Sequence, residues 1–382
     1  MFPVQAAGRS PADSSQGASY VTAPDPGFWR GKRVLVTGHT GFKGSWLSLW
    51  LHRLGARVTG FSLQPHTDPS LYRLADVESC TDSLIGDVRD RTAVRQALDR
   101  CAPEVVFHLA GQALVHQAYE QPVGTYETNV MGTANVLAAA RGRPALRSMV
   151  MITSDKCYRN REWARGYVES DELGGRDPYS ASEAAAELVI RSFRESWFRE
   201  GPTGVASVRA GNVIGGGDWS RDRLIPDLMR SVGGGSTVRI RRPMAVRPWQ
   251  HVLEALSGYL LLAESLWREP EVASSSWNIG PDLDQCRTVE WIADKITEEW
   301  GSGARWERDG EDFPHEDTFL RLDCTKIKGS LGWQPSLDLE TALNWIVEWY
   351  RAYHEGRDLQ EVTLNQIGDY EAIRREVQAQ VA

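Results

Sequence analysis

Long apolar runs are missing from this 382-residue chain, and without a stretch of about 18 apolar residues no membrane-spanning helix is expected. The first residues lack a basic start ahead of an apolar core, so a secretory leader is not expected either. Basic charge is not in excess: 43 Lys and Arg stand against 51 Asp and Glu, a formal charge of −8. That balance gives no general drive toward nucleic acid or an anionic membrane surface. Cysteine is sparse. The five residues Cys80, Cys101, Cys157, Cys286 and Cys324 are odd in number and scattered, with no C-x-x-C pair. Neither a disulfide framework nor a zinc cluster is suggested, and a reducing cytoplasm fits best. The eight histidines show no H-E-x-x-H spacing, so no metal is predicted. No motif repeats with a period of 20 to 50 residues, which excludes a solenoid.

What the chain does have is alternation. Residues 1–25, rich in Ala, Ser, Gly and Pro, are expected to form a flexible tail. Beyond them RVLVT (33–37) reads as a buried strand, and SWLSLWLHRLG after a glycine-rich turn has helical spacing. Further strands are expected at ARVTGFSL, LIGDVRD, EVVFHLAG, MVMITS and GVASVRA. Helices are expected between them, including residues 129–140 and 178–200. The pattern predicts an α/β fold, a Rossmann-type doubly wound parallel sheet over residues 26–210. Residues 211–382, loop-rich with two evident helices and many of the fifteen tryptophans, are expected to form a smaller mixed substrate lobe that can return strands to the first. The tryptophans are expected mostly to fill the core of that lobe.

Thr37-Gly38-His39-Thr40-Gly41-Phe42-Lys43-Gly44 follows the first strand and opens the first helix. Its glycines permit a tight turn, close approach of a pyrophosphate to backbone N–H groups, and close helix packing. A dinucleotide is the expected ligand. The acid that often ends the second strand is absent, with Ser62 in that region, so the residues alone leave NAD and NADP both open. Asp87, followed by Val88, is in position to accept from an adenine amino group. Other expected cofactor contacts are Leu109, Ala110, Gly111, Asn129, Tyr179 and Glu183. Ser154-Asp155-Lys156 ends a strand where open α/β sheets bind ligands, and Tyr179 opens a later helix. A tyrosine beside a serine near a nicotinamide can take a hydroxyl proton while hydride leaves the same carbon.

Several longer motifs occur in one order: GKRVLVTGHTGFKGSWLSLWL, TNVMGT, ITSDKCY, VRAGNVIGGGDW, RPWQHV, LSGYLLLAE and LGWQP. They resemble the CDP-D-glucose 4,6-dehydratases within the extended short-chain dehydrogenases/reductases. The resemblance implies NAD as cofactor, a nucleotide-sugar substrate and a homodimer or higher homo-oligomer. By the same resemblance, Tyr179 would remove the C4 hydroxyl proton while Ser154 hydrogen-bonds that hydroxyl. Lys156 and Asp155 would serve as base at C5 and acid at C6. Arg209, Asn212 and Arg247 would line the nucleotide-sugar side.

One position departs from the pattern. The family has Tyr-x-x-x-Lys, whereas Glu183 stands four residues after Tyr179, on the same helical face. A carboxylate there opposes the phenolate. At about 6 Å and an effective dielectric near 20, one unit-charge interaction is worth roughly 2–3 kcal/mol, so a reversed sign is expected to raise the tyrosine by several pKa units. Three readings follow: a dehydratase in which Lys156 or a rearranged ribose contact replaces the lysine, a homologue that binds NAD and a nucleotide sugar without turnover, and a nucleotide-sugar epimerase.

Overall fold

A computed structural model describes residues 23–309 and 319–381. The tail expected over residues 1–25 falls almost wholly outside them. Seven parallel strands form the main sheet: β1 (Arg33–Thr37), β2 (Arg57–Ser62), β3 (Asp82–Ile85), β4 (Val105–His108), β5 (Ser148–Thr153), β6 (Gly204–Ala210) and β7 (Ser276–Ile279). Their spatial order is β7-β6-β5-β4-β1-β2-β3. The order reverses between β1 and β4, which leaves a crevice at their carboxyl ends.

The inner strands β1, β4 and β5 are largely apolar and buried on both faces, as a sheet covered by helices on both sides requires. Val34, Val36, Val105, Phe107 and Val150 face one core, with Trp46, Leu47 and Trp50 of the helix Phe42–Arg53. Leu35, Val106, Met149 and Met151 face the other, against Val94 and Leu98 of Arg91–Cys101 and Val136 and Leu137 of Thr133–Ala140. Ten of the fifteen tryptophans lie in residues 211–382, five of them in the larger core and five packed against it, as the sequence expectation has it. Of the six fully buried, Trp29, Trp46 and Trp50 lie in the first half, and Trp277, Trp333 and Trp349 in the second. The helix around Phe42 takes two of them because it is buried along most of its length between the sheet and the C-terminal helices.

Strand β7 comes from the C-terminal half and pairs with β6 from Ser276↔Ser207 to Ile279↔Ala210, so the sheet extends across both sides of residue 210. Three short strand pairs, among them Val246–Arg247 with Arg287–Thr288, shape the loops above its carboxyl edge.

Arg209 does not reach the nucleotide-sugar side expected for it. Its side chain is buried in an ion pair with Glu187 at 2.7 Å, and it donates to the Tyr158 hydroxyl at 2.8 Å and the Glu169 carbonyl at 3.0 Å. Glu187 also accepts from Thr153 and Ser207. This network ties the helix Pro178–Phe193 to β5 and β6. The Arg209 guanidinium holds the Glu187 carboxyl below the usual carboxylate range against the opposing effect of burial. Removing one partner of such a pair strands the other charge, at a cost of about 3–5 kcal/mol. We therefore expect Arg209→Met to lower unfolding free energy by that order in urea titrations, and Arg209→Met/Glu187→Leu to recover part of the loss.

Candidate active site

The glycine turn is built as the sequence predicts. Gly38 sits at φ +77°, and a Cβ there would lie 2.8 Å from the Ala110 nitrogen. At Gly44 a Cβ would lie 2.1 Å from the Gly38 carbonyl oxygen. Gly41 caps the helix Phe42–Arg53 with no side-chain bond to its first turn, so N–H groups of that turn remain for an anion. A dinucleotide pyrophosphate fits this cradle. Around it, Thr40 and Ser62 share a hydrogen bond of 2.9 Å, and the Thr37 hydroxyl receives the Ala110 N–H at 3.2 Å. Leu109 follows Thr37 in the backbone ladder, its N–H bonding the Thr37 carbonyl. Asp87 lies in a separate hollow, where Arg89 grips its carboxylate at 2.6 and 2.8 Å and holds it below the usual range. Val88 is buried in the second core.

Asn129 reaches the site through an irregularity. The expected helix begins earlier, at Pro122, and opens into a wide π turn over Glu127–Gly132 before Thr133–Ala140. Such turns insert one residue and re-aim its neighbours. The Asn129 amide donates to Ser182 Oγ at 2.9 Å and Glu183 Oε1 at 3.3 Å, while its carbonyl oxygen accepts from the Gln112 N–H. A Cβ on Gly111 would press on that oxygen at 3.3 Å.

A cavity of about 930 Å³ opens above the carboxyl ends of the strands, ample for a small organic ligand. Phe42, Lys43, Ser154, Asp155, Lys156 and Tyr179 line it, with Gly211, Asn212, Arg223, Arg241, Arg242 and Arg247. Ser154, Asp155, Lys156 and Tyr179 are thus brought together. Tyr179 is aimed by the start of its helix. Asp177 caps it, accepting from the Ser180 N–H at 2.9 Å, and Pro178 fills the first position where no N–H is needed. Ser154 Oγ donates to Asp155 Oδ1 at 3.0 Å and accepts from the Lys156 N–H at 3.2 Å. The other Asp155 oxygen is buried without a partner. A Cβ at Gly211 would lie 1.9 Å from it, so only glycine lets the backbone pass this carboxyl. Burial raises Asp155 above the usual carboxylate range, against the opposing pull of Lys156.

Burial, and then Glu183, push Tyr179 well above the ordinary phenol range, while Ser154 pulls it down. Glu183 thus opposes the phenolate, as the sequence expects. Burial pushes its own carboxyl up to about 8. The foremost cation acting on it is Lys43, whereas Lys156 acts first on Asp155. Lys43 is itself lowered to about 8 by burial, with Arg223 opposing its charge and Glu183, Asp155 and Asp218 supporting it.

Sequence reasoning missed Arg223 and Asp218. They form an ion pair of 3.2 Å at the cavity wall, from a loop whose composition carries no periodic signal. It read His108 correctly as a core residue: the ring bonds Thr37 and Thr133, and burial lowers it to about 4. No cluster of His, Cys, Asp and Glu suited to a metal occurs among the described residues.

Comparison with known proteins places these features in a family. The profile described as GDP-mannose 4,6 dehydratase matches residues 35–345. A CDP-glucose 4,6-dehydratase of Salmonella typhimurium is 50% identical over 351 residues, which are 91% of this chain and 98% of the relative. A dTDP-glucose 4,6-dehydratase of Xanthomonas campestris is 24% identical, with 83% of this chain and 92% of the relative covered. Among solved structures, the UDP-N-acetylglucosamine 4-epimerase of Methanobrevibacter ruminantium superposes with a TM-score of 0.73 at 21% identity, covering 85% of this chain and 99% of that one. The dTDP-glucose 4,6-dehydratase of Bacillus anthracis, solved in complex with NAD, gives 0.69 at 20% identity over 86% and 99%. The profile spans most of the sheet and both walls of the cavity, and the chain belongs to the GDP-mannose 4,6 dehydratase family of extended short-chain dehydrogenases/reductases.

Proposed function

We propose that this chain catalyses the NAD-dependent dehydration of CDP-D-glucose to CDP-4-dehydro-6-deoxy-D-glucose. The observation that carries the reading is the meeting of Ser154, Asp155, Lys156 and Tyr179 in one cavity beside the glycine turn. Half identity to the Salmonella CDP-glucose 4,6-dehydratase along nearly the whole chain supports the substrate. When bound, NAD accepts hydride from C4 of the glucose and returns it to C6. Tyr179 takes the O4 proton, with Ser154 holding that hydroxyl. The resulting 4-ketone acidifies C5–H, which Lys156 removes as Asp155 gives a proton to the departing C6 oxygen. A buried carboxyl whose pKa is raised suits an acid that must stay protonated until that moment. Gly38, Thr40, Gly41, Phe42, Lys43, Gly44 and Ser62 would hold the dinucleotide, with Leu109 to Gly111 and Asn129 bordering it and Asp87 and Val88 toward the adenine. Arg247 and Asn212, with Arg241 and Arg242 nearby, would bind the nucleotide diphosphate. Elimination is favoured over epimerisation because an acid and a base follow Ser154 directly, where C4 inversion alone needs neither.

The chain is read as a cytoplasmic homo-oligomer. All five cysteines are free thiols, and no described helix is long and apolar enough to cross a membrane. Val123, Tyr126 and Met131 are exposed on one helical run, and Leu188 and Trp197 on the helix that packs beside it. Paired with a second copy, these side chains would leave water.

Incubation with CDP-, dTDP-, UDP- and GDP-glucose is expected to yield a product lighter by one water from CDP-glucose foremost, read by mass spectrometry. Cofactor binding without any such product would favour the silent-homologue reading; inversion at C4 would favour the epimerase. Tyr179→Phe should lower turnover by about 10²–10⁴-fold, the range for loss of a general base, with nucleotide-sugar affinity little changed. Leu188→Arg should shift sedimentation at micromolar concentration from dimer toward monomer; a monomeric parent protein would contradict the oligomer.

A further inference from the structure

The acid and base assigned to the elimination stand on a short segment that regular structure does little to hold. After β5, Ser154 caps a single tight turn, Asp155–Cys157, and the chain leaves it extended at Tyr158. Bonds inside the turn are local: the Lys156 N–H reaches Ser154 Oγ at 3.2 Å, and the Cys157 and Tyr158 N–H groups reach the Ser154 and Asp155 carbonyls at 3.2 and 3.3 Å. Turns of this kind have poorer hydrogen-bond geometry than an α-helix. The flanking residues, by contrast, are tied to one buried ion pair. Thr153 Oγ1 donates to Glu187 Oε1 at 2.6 Å. The Tyr158 hydroxyl accepts from Arg209 Nη1 at 2.8 Å and donates to Asn278 Oδ1 at 2.7 Å. Arg209 and Glu187 meet at 2.7 Å, and Glu187 lies about two turns beyond Tyr179 on the same helix.

We propose that Tyr158 is a positioning residue for the elimination: its hydroxyl, held between Arg209 on β6 and Asn278 on β7, fixes the turn that presents Asp155 and Lys156 to C6 and C5 of the sugar. The proposal rests on the dehydratase reading above. Asn278 stands directly opposite Arg209 in the pairing of β7 with β6, so the two strands offer both partners of the hydroxyl at one level. The ring is held as well. It stacks on Tyr167 with centroids 5.2 Å apart, and the Asn278 amide donates to the Tyr167 carbonyl at 2.7 Å. Tyr158 borders the cavity, yet it is 1% exposed and its one donor is engaged by Asn278. Burial raises it above the ordinary phenol range, so it keeps its proton and takes no part in acid–base exchange. Its effect passes through the backbone to the residues before it. The helix of Tyr179 is held by the Glu187–Arg209 pair, which does not need that hydroxyl. Oxidation at C4 and elimination across C5 and C6 thus depend on separable contacts.

Tyr158→Phe removes one oxygen and keeps the stacked ring. In single turnover of CDP-glucose by the NAD-loaded variant, water loss followed by mass spectrometry should slow by about 10²-fold, the scale for reacting groups displaced by about 1 Å. The rise of reduced-nicotinamide absorbance, which reports C4 oxidation, should keep its rate, and KM should change little. Should Tyr158→Phe not fold, Asn278→Leu removes the acceptor of the same hydroxyl and is expected to divide the two steps in the same way. Equal slowing of both steps, as a general packing defect would give, an unchanged rate of water loss, or a loss confined to KM overturns the role. In the protein without added substrate, hydrogen exchange reads the turn directly. The amides of residues 156–158 should lose protection in the variant, while those of β6 and the helix Pro178–Phe193 keep theirs; unchanged protection at 156–158 overturns the pinning. Should the parent protein not turn over CDP-glucose at all, the function assigned above fails, and the exchange measurement still decides whether the hydroxyl holds the turn.

Discussion

A helix that turns Tyr179, Glu183 and Glu187 toward one buried face cannot rest against a sheet unless each carboxyl is met by a proton or a cation, since an isolated charge out of water is far too costly. The structure meets the two carboxyls differently. Glu187 is answered by the rigid contact with Arg209 on β6, reinforced by Thr153 and Ser207. Glu183 is answered by burial, which favours its proton, and by an ammonium at longer range from the glycine turn. The first solution fixes the helix on the sheet. The second leaves a titratable carboxyl one turn from Tyr179, so structural and chemical demands on one helix are separated by a single turn.

The same division explains what could be read from the sequence. Strands β1, β2, β4, β5 and β6 were legible because fully buried parallel strands are short apolar runs between turn residues, and GVASVRA matches Gly204–Ala210 residue for residue. The glycine turn and Ser154-Asp155-Lys156 were legible because local backbone geometry imposes their spacing. Strand β7 was not placed, since four residues of SWNI carry no signal of the strand they join. The helix Leu359–Val381 was also missed; its apolar positions are interrupted by polar ones that bond neighbouring elements, as Gln366 does to the Trp345 carbonyl.

At the site, individual residues were legible and their pairings were not. Arg209 has the sequence context of a cavity residue, yet its side chain leaves β6 on the face where Glu187 waits. Lys43 belongs to the turn by sequence and to Glu183 by electrostatics, a relation made by β1 and β5 lying on either side of β4. Asn129 depends on a π turn that no simple helical periodicity encodes. Long-range partners of this kind are set by topology, and a sequence pattern constrains topology only through the elements it can identify.

Strand β7 also imposes an order of events on biosynthesis. Strands β1 to β6 leave the ribosome before the partner for the open edge of β6 has been made, and β6 is buried along its whole length once folded. Unpaired edges of that kind invite pairing with other chains. Until residues 276–279 emerge and dock, the nascent chain carries an adhesive margin, guarded in that interval by little but the buried charge of Arg209. The span between β6 and β7 is therefore where a ribosomal pause or a premature stop would be most damaging, even though no catalytic side chain proposed for the reaction lies beyond it.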